Sequence, residues 1–244
     1  MPDYGRLTQE LLPHTSPAVA PLYPPPPWPL PGARILKLLF ETDTDPVLTW
    51  LPPRLSRSSP PYATISVAHY PSSPVGPFTL AAQYIGCRAG MFIRAFTVQA
   101  IVDSAPAVAA LREVWGMPCK LGEATLTAGP GTFSARVSRG DSVLAELSLE
   151  DGADIAADSV RFDPVLNLRA VPSLEEGKRH DLLQMVQIDP DYQIKESQRG
   201  RGQLHYPAQS AEDPWHVLPM RNMISAVYSV VDTELPLARF VMQY

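Results

Sequence analysis

The 244-residue sequence predicts a mainly β, α+β chain: an antiparallel arrangement with a few flanking helices. Three observations carry that expectation. The 28 prolines are spread along the chain, and proline removes a backbone donor and breaks helix interiors, which favours many short strands joined by turns. Apolar residues alternate with polar ones over runs of strand length, separated by Pro, Gly and Ser clusters. Only one segment reads as a convincing helix.

Taken in order, the N-terminal MPDYGRLTQELLPH lacks a signal peptide's charged-then-apolar layout. VAPLYPPPPWPLPG, residues 19–32, is so rich in proline that it reads as extended, with no hydrogen-bond ladder of its own. Residues 1–32 are therefore expected to form a surface arm, with a proline-motif ligand as the alternative reading, and residues 33–244 a single domain. ILKLLF has the length of a strand; Asp45 then caps a short helix with Pro46 at its first position, stopped by Pro52 and Pro53. Strands are predicted over 63–69, 78–85 and 91–98, as an antiparallel meander. Ser104 caps the convincing helix, APAVAALREVWG, and Gly116 stops it. EATLTA, TFSARVSR and SVLAELSL follow, with a hairpin turn at Arg139-Gly140-Asp141, and short strand-like runs (VLNLRAV, DLLQMVQI, YQIKES, GQLHY, MISAVYSVV) fill the C-terminal third.

With 45% hydrophobic and 18% charged residues, the composition predicts a globular chain with a substantial core. The net charge of -5 and the absence of a Lys/Arg cluster argue against a nucleic-acid partner. Arg199-Gly200-Arg201 reads as a turn. No apolar run reaches roughly eighteen residues, so no membrane association is expected and the chain is placed in the cytoplasm. In that compartment Cys87 and Cys119 are expected as reduced thiols. His180 with Asp181, His205, and Asp213 with His216 have no metal-ligand spacing, and no cofactor or metal is expected.

Three stretches, in this order, resemble the acetoacetate decarboxylase superfamily: FETDTDPVLTWLPPRL, LREVWGMPCKLGE, and GRGQLHYP with LPMRNMISAVYSVVDTELPLARFVMQY. The resemblance implies a β-barrel-like cone around a buried apolar pocket, a homo-oligomer, and a small-molecule carbonyl substrate. In the family, a lysine directly after the proline forms a Schiff base with a ketone. Its amine is made nucleophilic by an apolar pocket, and this family is the stock example of such activation. Laid on that pattern, Cys119 occupies the Schiff-base position and Lys120 that of a second lysine; Thr64 and Leu80 stand where glutamates are expected, Met117 where an aromatic is, and Arg34 lies one residue out of register. Arg112 and Glu113 keep the pattern and are expected to hold their helix against the barrel.

A thiol cannot form an iminium, and on an extended chain Lys120 should face away from Cys119, pairing with Glu123 or Glu146. The expectation is an enzyme that has lost imine chemistry. It would act on a larger apolar, polyketide-like carbonyl compound of secondary metabolism, in a lyase, cyclisation, isomerisation or dehydration step. Cys119, Lys120, His69 and Arg34 are the catalytic candidates, with His69 the base nearest Cys119. Thr64, Leu80, Gln83, Tyr84, Trp115 and Met117 are the substrate-binding candidates. The alternatives are decarboxylation of a β-keto acid through Lys120, and a non-catalytic carrier of a hydrophobic small molecule.

Overall fold

The computed structural model describes residues 3–6, 8 and 20–244. Of the arm expected over residues 1–32, residues 1–2, 7 and 9–19 lie outside the described residues, and with them most of the stretch compared with a signal peptide. The arm's last five residues, 28–32, belong to the sheet. Strand β1 spans Trp28–Glu41 and pairs from its first residue with β13 (Asn222–Leu235), Trp28 opposite Leu235. A ladder forms here despite the prolines because Pro29 and Pro31 take the exposed alternate positions, while Trp28 and Leu30 bury their side chains, and a register shift follows Leu30.

The meander is present as β3 (Tyr62–Tyr70), β4 (Phe78–Ala89) and β5 (Phe92–Val102), with β2 (Ser56–Arg57) added beside β4. Helix α1 (Thr44–Trp50) takes Asp43 as its N-cap, so Asp45 and Pro46 sit inside the first turn, not at its edge. Helix α2 (Ala105–Glu113) starts at Ser104, whose side chain accepts from the Ala107 N–H. Gly116, at φ +64°, turns the chain after it, and any Cβ there would lie 2.8 Å from the Arg169 backbone. Next come β6 (Cys119–Leu121), β7 (Glu123–Gly129), β8 (Thr132–Arg139), β9 (Ser142–Asp154), β10 (Val165–Pro172), β11 (His180–Ile188), β12 (Tyr192–His205) and β14 (Arg239–Gln243). The runs YQIKES and GQLHY are one strand, β12, because Gly200 and Gly202 let the backbone continue against β9 and β13 where a Cβ would collide.

Among the described residues these strands make one 14-stranded mixed sheet with the path β14-β11-β10-β5-β4-β3-β1-β13-β12-β9-β8-β7. Parallel pairing occurs where β5 meets β10 and β6, so the predicted antiparallel character holds for most of the sheet but not at that junction.

The sheet's central strands are buried on both faces, and alternation decides which residue goes where. Leu36 and Leu38 of β1, Ile65 and Val67 of β3, and Ile85 of β4 pack against Phe133, Val137, Leu147 and Leu149 of β8 and β9, forming the main core. Full burial of each such side chain stabilises by about 1.5–3 kcal/mol. On the opposite face, Leu80 and Ala82 of β4 and Ala100 of β5 meet Ala107, Ala110 and Leu111 of α2, together with Trp28, Trp115 and Cys119. Trp28 meets Trp115 edge-on at 5.1 Å between centroids. Between this second layer and the loop before β10, the sheet carries a cavity.

Candidate active site

The register of the central strands defines the floor of that cavity. Lys37 of β1 stands opposite Ser66 of β3, Ser66 opposite Ala82 of β4, Ala82 opposite Ala100 of β5, and Ala100 beside Cys119 of β6. Residues opposite one another across a sheet project to the same face, so these five form one row. Of the small residues in the middle, Ser66 lines the cavity, while Ala82 and Ala100 are packed against α2. Tyr84 and Leu80, two residues to either side of Ala82 on β4, rise beside the cavity.

The enclosure has two adjoining lobes. The first, about 80 Å³, is lined from the sheet by Ile35, Lys37, Thr64, Ser66 and Ala68, and roofed by Phe162, Asp163 and Tyr192. The second, about 60 Å³, shares Tyr70, Leu80, Tyr84, Val165 and Tyr192 with the first and extends to Met117 and Leu111. A larger open groove of about 650 Å³ runs over the outside of α2's end, along Arg112, Gly116, Pro118, Lys120 and Arg169. The pair of lobes is the stronger site despite its size, because it gathers buried ionisable groups, Lys37, Tyr70, Tyr84 and Tyr192, beside apolar side chains.

Lys37 is the chief of those groups. Its ammonium lies 4.6 Å from the centroid of the Phe162 ring and donates to the Arg161 carbonyl. Phe162 is stacked on Tyr192 at 4.1 Å, which fixes the ring. Burial pushes the Lys37 amine down to about 8, against the opposing pull of the Asp163 carboxylate. Around it the phenols are held protonated. Burial lifts Tyr84 to about 12, with a hydrogen bond to Ser66 opposing, and lifts Tyr70 and Tyr192 well above the ordinary phenol value. At neutral pH the wall therefore offers phenolic O–H donors and one amine that loses its proton easily. Those groups suit the polarisation of, or attack on, a carbonyl.

Of the residues singled out from sequence, Thr64, Leu80 and Tyr84 line the enclosure and Met117 lines its second lobe. Cys119 closes the far end of the row, fully buried, with burial pushing its thiol up to about 12 and the Arg112 charge only partly opposing; its carbonyl accepts from Arg112. Lys120 points away: its ammonium is 2.9 Å from the Asp213 carboxylate and also donates to the Glu212 carbonyl. Its partner is thus Asp213, not Glu123 or Glu146, because the 210–213 loop folds over β6.

The remaining candidates fall elsewhere, and alternation is the reason. Arg34 is exposed, on the face of β1 opposite to Ile35 and Lys37. His69 sits on the other face of β3 from Thr64 and Ser66, 3.2 Å from the Thr79 hydroxyl and with no contact to Cys119 that would make it a base for that thiol. Gln83 is fully buried toward the main core, where it donates to Tyr206 and the Trp215 carbonyl and accepts from Gln99. Trp115 is a packing residue that donates to the Pro236 carbonyl. Arg112 ties β6 to α2, and Glu113 accepts from Tyr23, so both serve the helix's seat.

Sequence reasoning missed Lys37, Tyr70, Phe162, Asp163 and Tyr192. Lys37 did leave a signal, as the lone charge inside the apolar strand ILKLLF. Among the described residues, no group of three or more His, Cys, Asp and Glu side chains is placed to hold a metal ion. No helix among them is long and apolar enough to cross a membrane.

The sequence is 25% identical to a decarboxylase of Cochliobolus heterostrophus, over 92% of each chain. The fold superposes on a solved acetoacetate decarboxylase with a TM-score of 0.90 at 19% identity, covering 97% of this chain and 99% of that one. It also superposes on the enduracididine biosynthesis enzyme MppR complexed with pyruvate, with a TM-score of 0.77 at 17% identity, covering 95% and 98% of the two chains. The pattern of the acetoacetate decarboxylase (ADC) family matches residues 12–244, and the chain belongs to that family.

Proposed function

We propose that this chain is a lyase-type enzyme that takes a small oxo acid into the enclosure above Ser66 and Ala68. The observation that carries the reading is the enclosure itself, a space floored by Ser66 and Ala68 and walled by Lys37, Thr64, Tyr84 and Asp163. Its lobes of about 80 and 60 Å³ are small beside the roughly 300–1,000 Å³ of pockets that take drug-sized ligands. That size favours a small substrate over the larger polyketide-like intermediate suggested by the apolar wall residues, and it leaves no support for a cyclase. The pyruvate complex of the structural relative MppR points to the same substrate class.

In this reading Cys119 stands at the family's amine position and does no imine chemistry. Burial keeps it a thiol, and a thiol adds to a carbonyl without giving an iminium. Lys120 is not the substitute, since its ammonium is engaged by Asp213 on the far side of β6. The phenol of Tyr84 donates a hydrogen bond to the substrate's oxygen, a charge-stabilising contact worth more in a buried site than in water.

The test is turnover of three- to five-carbon 2-oxo and 3-oxo acids, followed by NMR, in the native protein and in Ala68→Leu, which fills the first lobe from its floor. Consumption is expected in the native protein and a loss of about tenfold or more in the variant, with thermal unfolding shifted by only a few degrees. Equal turnover in both proteins would move the chemistry out of the enclosure. A native protein that binds such acids and returns all of them unchanged would favour the carrier reading.

A further inference from the structure

The row Lys37–Ser66–Ala82–Ala100–Cys119 has two ends: Lys37 lines the first lobe beside Ser66, whereas Cys119 lies fully buried among the side chains packed with α2. A lysine's four-carbon stem lets its amine act well away from its own strand. On the assumption that the enclosure takes an oxo compound, we propose that Lys37 is the amine that condenses with it, reaching the reacting carbon from β1 instead of β6.

The surroundings of Lys37 fit this role in three ways. The amine lies among apolar and aromatic groups, so charging it is costly. Burial lowers it to about 8, so roughly a tenth is free at pH 7, against well under a thousandth for an ordinary lysine. The Phe162 ring and the Asp163 carboxylate already form a seat for one positive charge, and an iminium at the same nitrogen would inherit it. The charged and titratable groups around that nitrogen are Asp163 from the loop before β10, Tyr70 and Tyr84 from β3 and β4, and Tyr192 from β12.

The step balances without a co-reactant. The free amine's lone pair attacks the carbonyl carbon, the carbinolamine loses its oxygen as water, and lysine ammonium plus ketone becomes protonated imine plus water. The iminium then accepts an electron pair from a bond on the neighbouring carbon. In a 3-oxo acid that bond is the one to carboxylate: carbon dioxide leaves, the enamine takes a proton on carbon, and water hydrolyses the imine to free the ketone and restore the lysine.

The experiment is reductive trapping. The protein is incubated with pyruvate or acetoacetate and sodium cyanoborohydride, and the modified peptide is mapped by mass spectrometry, with ligand binding followed in parallel by saturation-transfer NMR. The expected result is one adduct, on Lys37, whose initial rate of formation rises more than about tenfold from pH 6 to pH 8, as an amine titrating near 8 requires. Lys37→Arg and Lys37→Met should abolish it and Lys120→Arg should keep it. Because mapping in the native protein locates the adduct directly, a variant that fails to fold does not blunt the test. An adduct on Lys120 or any other lysine overturns the proposal, as does binding of either acid with no adduct, an outcome that leaves the enclosure as the binding site. Absence of binding by both acids overturns the proposal and the oxo-acid reading together.

Discussion

Lys37 occupies a position where its neighbours Ile35 and Leu39 are apolar, and its charge is held by one ring, one carbonyl and one nearby carboxylate. Such a group costs stability whenever it is protonated, and the sign of its pH dependence follows. With the folded value near 8 and the ordinary value at 10.5, the unfolded chain binds more protons between those limits, so this group's penalty is full below pH 8 and fades as pH rises toward 10.5. Lys37→Met removes the penalty. The variant's stability relative to the native protein, measured by urea unfolding, should therefore decline by up to about 3 kcal/mol between pH 7 and pH 10.5. A difference that does not change with pH would mean that Lys37 has an ordinary amine.

At the scale of elements, alternation made most of the strands legible and also decided which candidates reach the site. Thr64 and Leu80 were reached by laying the family's pattern on the strands, and both line the enclosure. Arg34, His69 and Gln83 lie on the same strands but one residue out of phase, and a one-residue offset sends a side chain to the other face. Helix α2 was legible because its cap, its apolar spacing and Gly116 agree. The start of β1 was not, because proline content hid the alternation of Trp28 and Leu30. Nor was the partner of Lys120, since Asp213 comes from a loop 93 residues away. Burial alone would raise the Asp213 carboxyl, but hydrogen bonds from Lys120 and Arg139, each 2.9 Å, outweigh it and hold the carboxyl low. Both cations are more than a third exposed, which screens them, so Asp213→Asn should cost only about 1 kcal/mol at neutral pH. The sign is that of a depressed carboxylate: the contribution is complete above the unfolded value of 3.8 and is lost as pH falls through the lowered folded value, so acid unfolding should bring the two proteins together. A deficit that persists in acid would assign the loss to packing.

For the molecule as a whole, the sheet brings together parts of the chain that no local pattern connects. Lys37 comes from β1, Tyr84 from β4, Phe162 and Asp163 from the loop before β10, and Tyr192 from the start of β12. The mainly β class was readable from proline spacing and strand-length alternation; the roof of the site was not, because it depends on how β10 joins β5 in parallel and carries residues 162–165 over the floor. The sheet has two buried faces, one packed with side chains of β7, β8 and β9 and the other with α2. What distinguishes the second face is that Ser66 and Ala68, small residues of β3 beside Lys37 and Ile35, floor a cavity. The most direct test is a crystal structure of the protein soaked with pyruvate. The account predicts density for the acid in the enclosure, between Lys37, Thr64 and Tyr84. Density only in the outer groove along Arg112 and Arg169, with the enclosure empty, would contradict it.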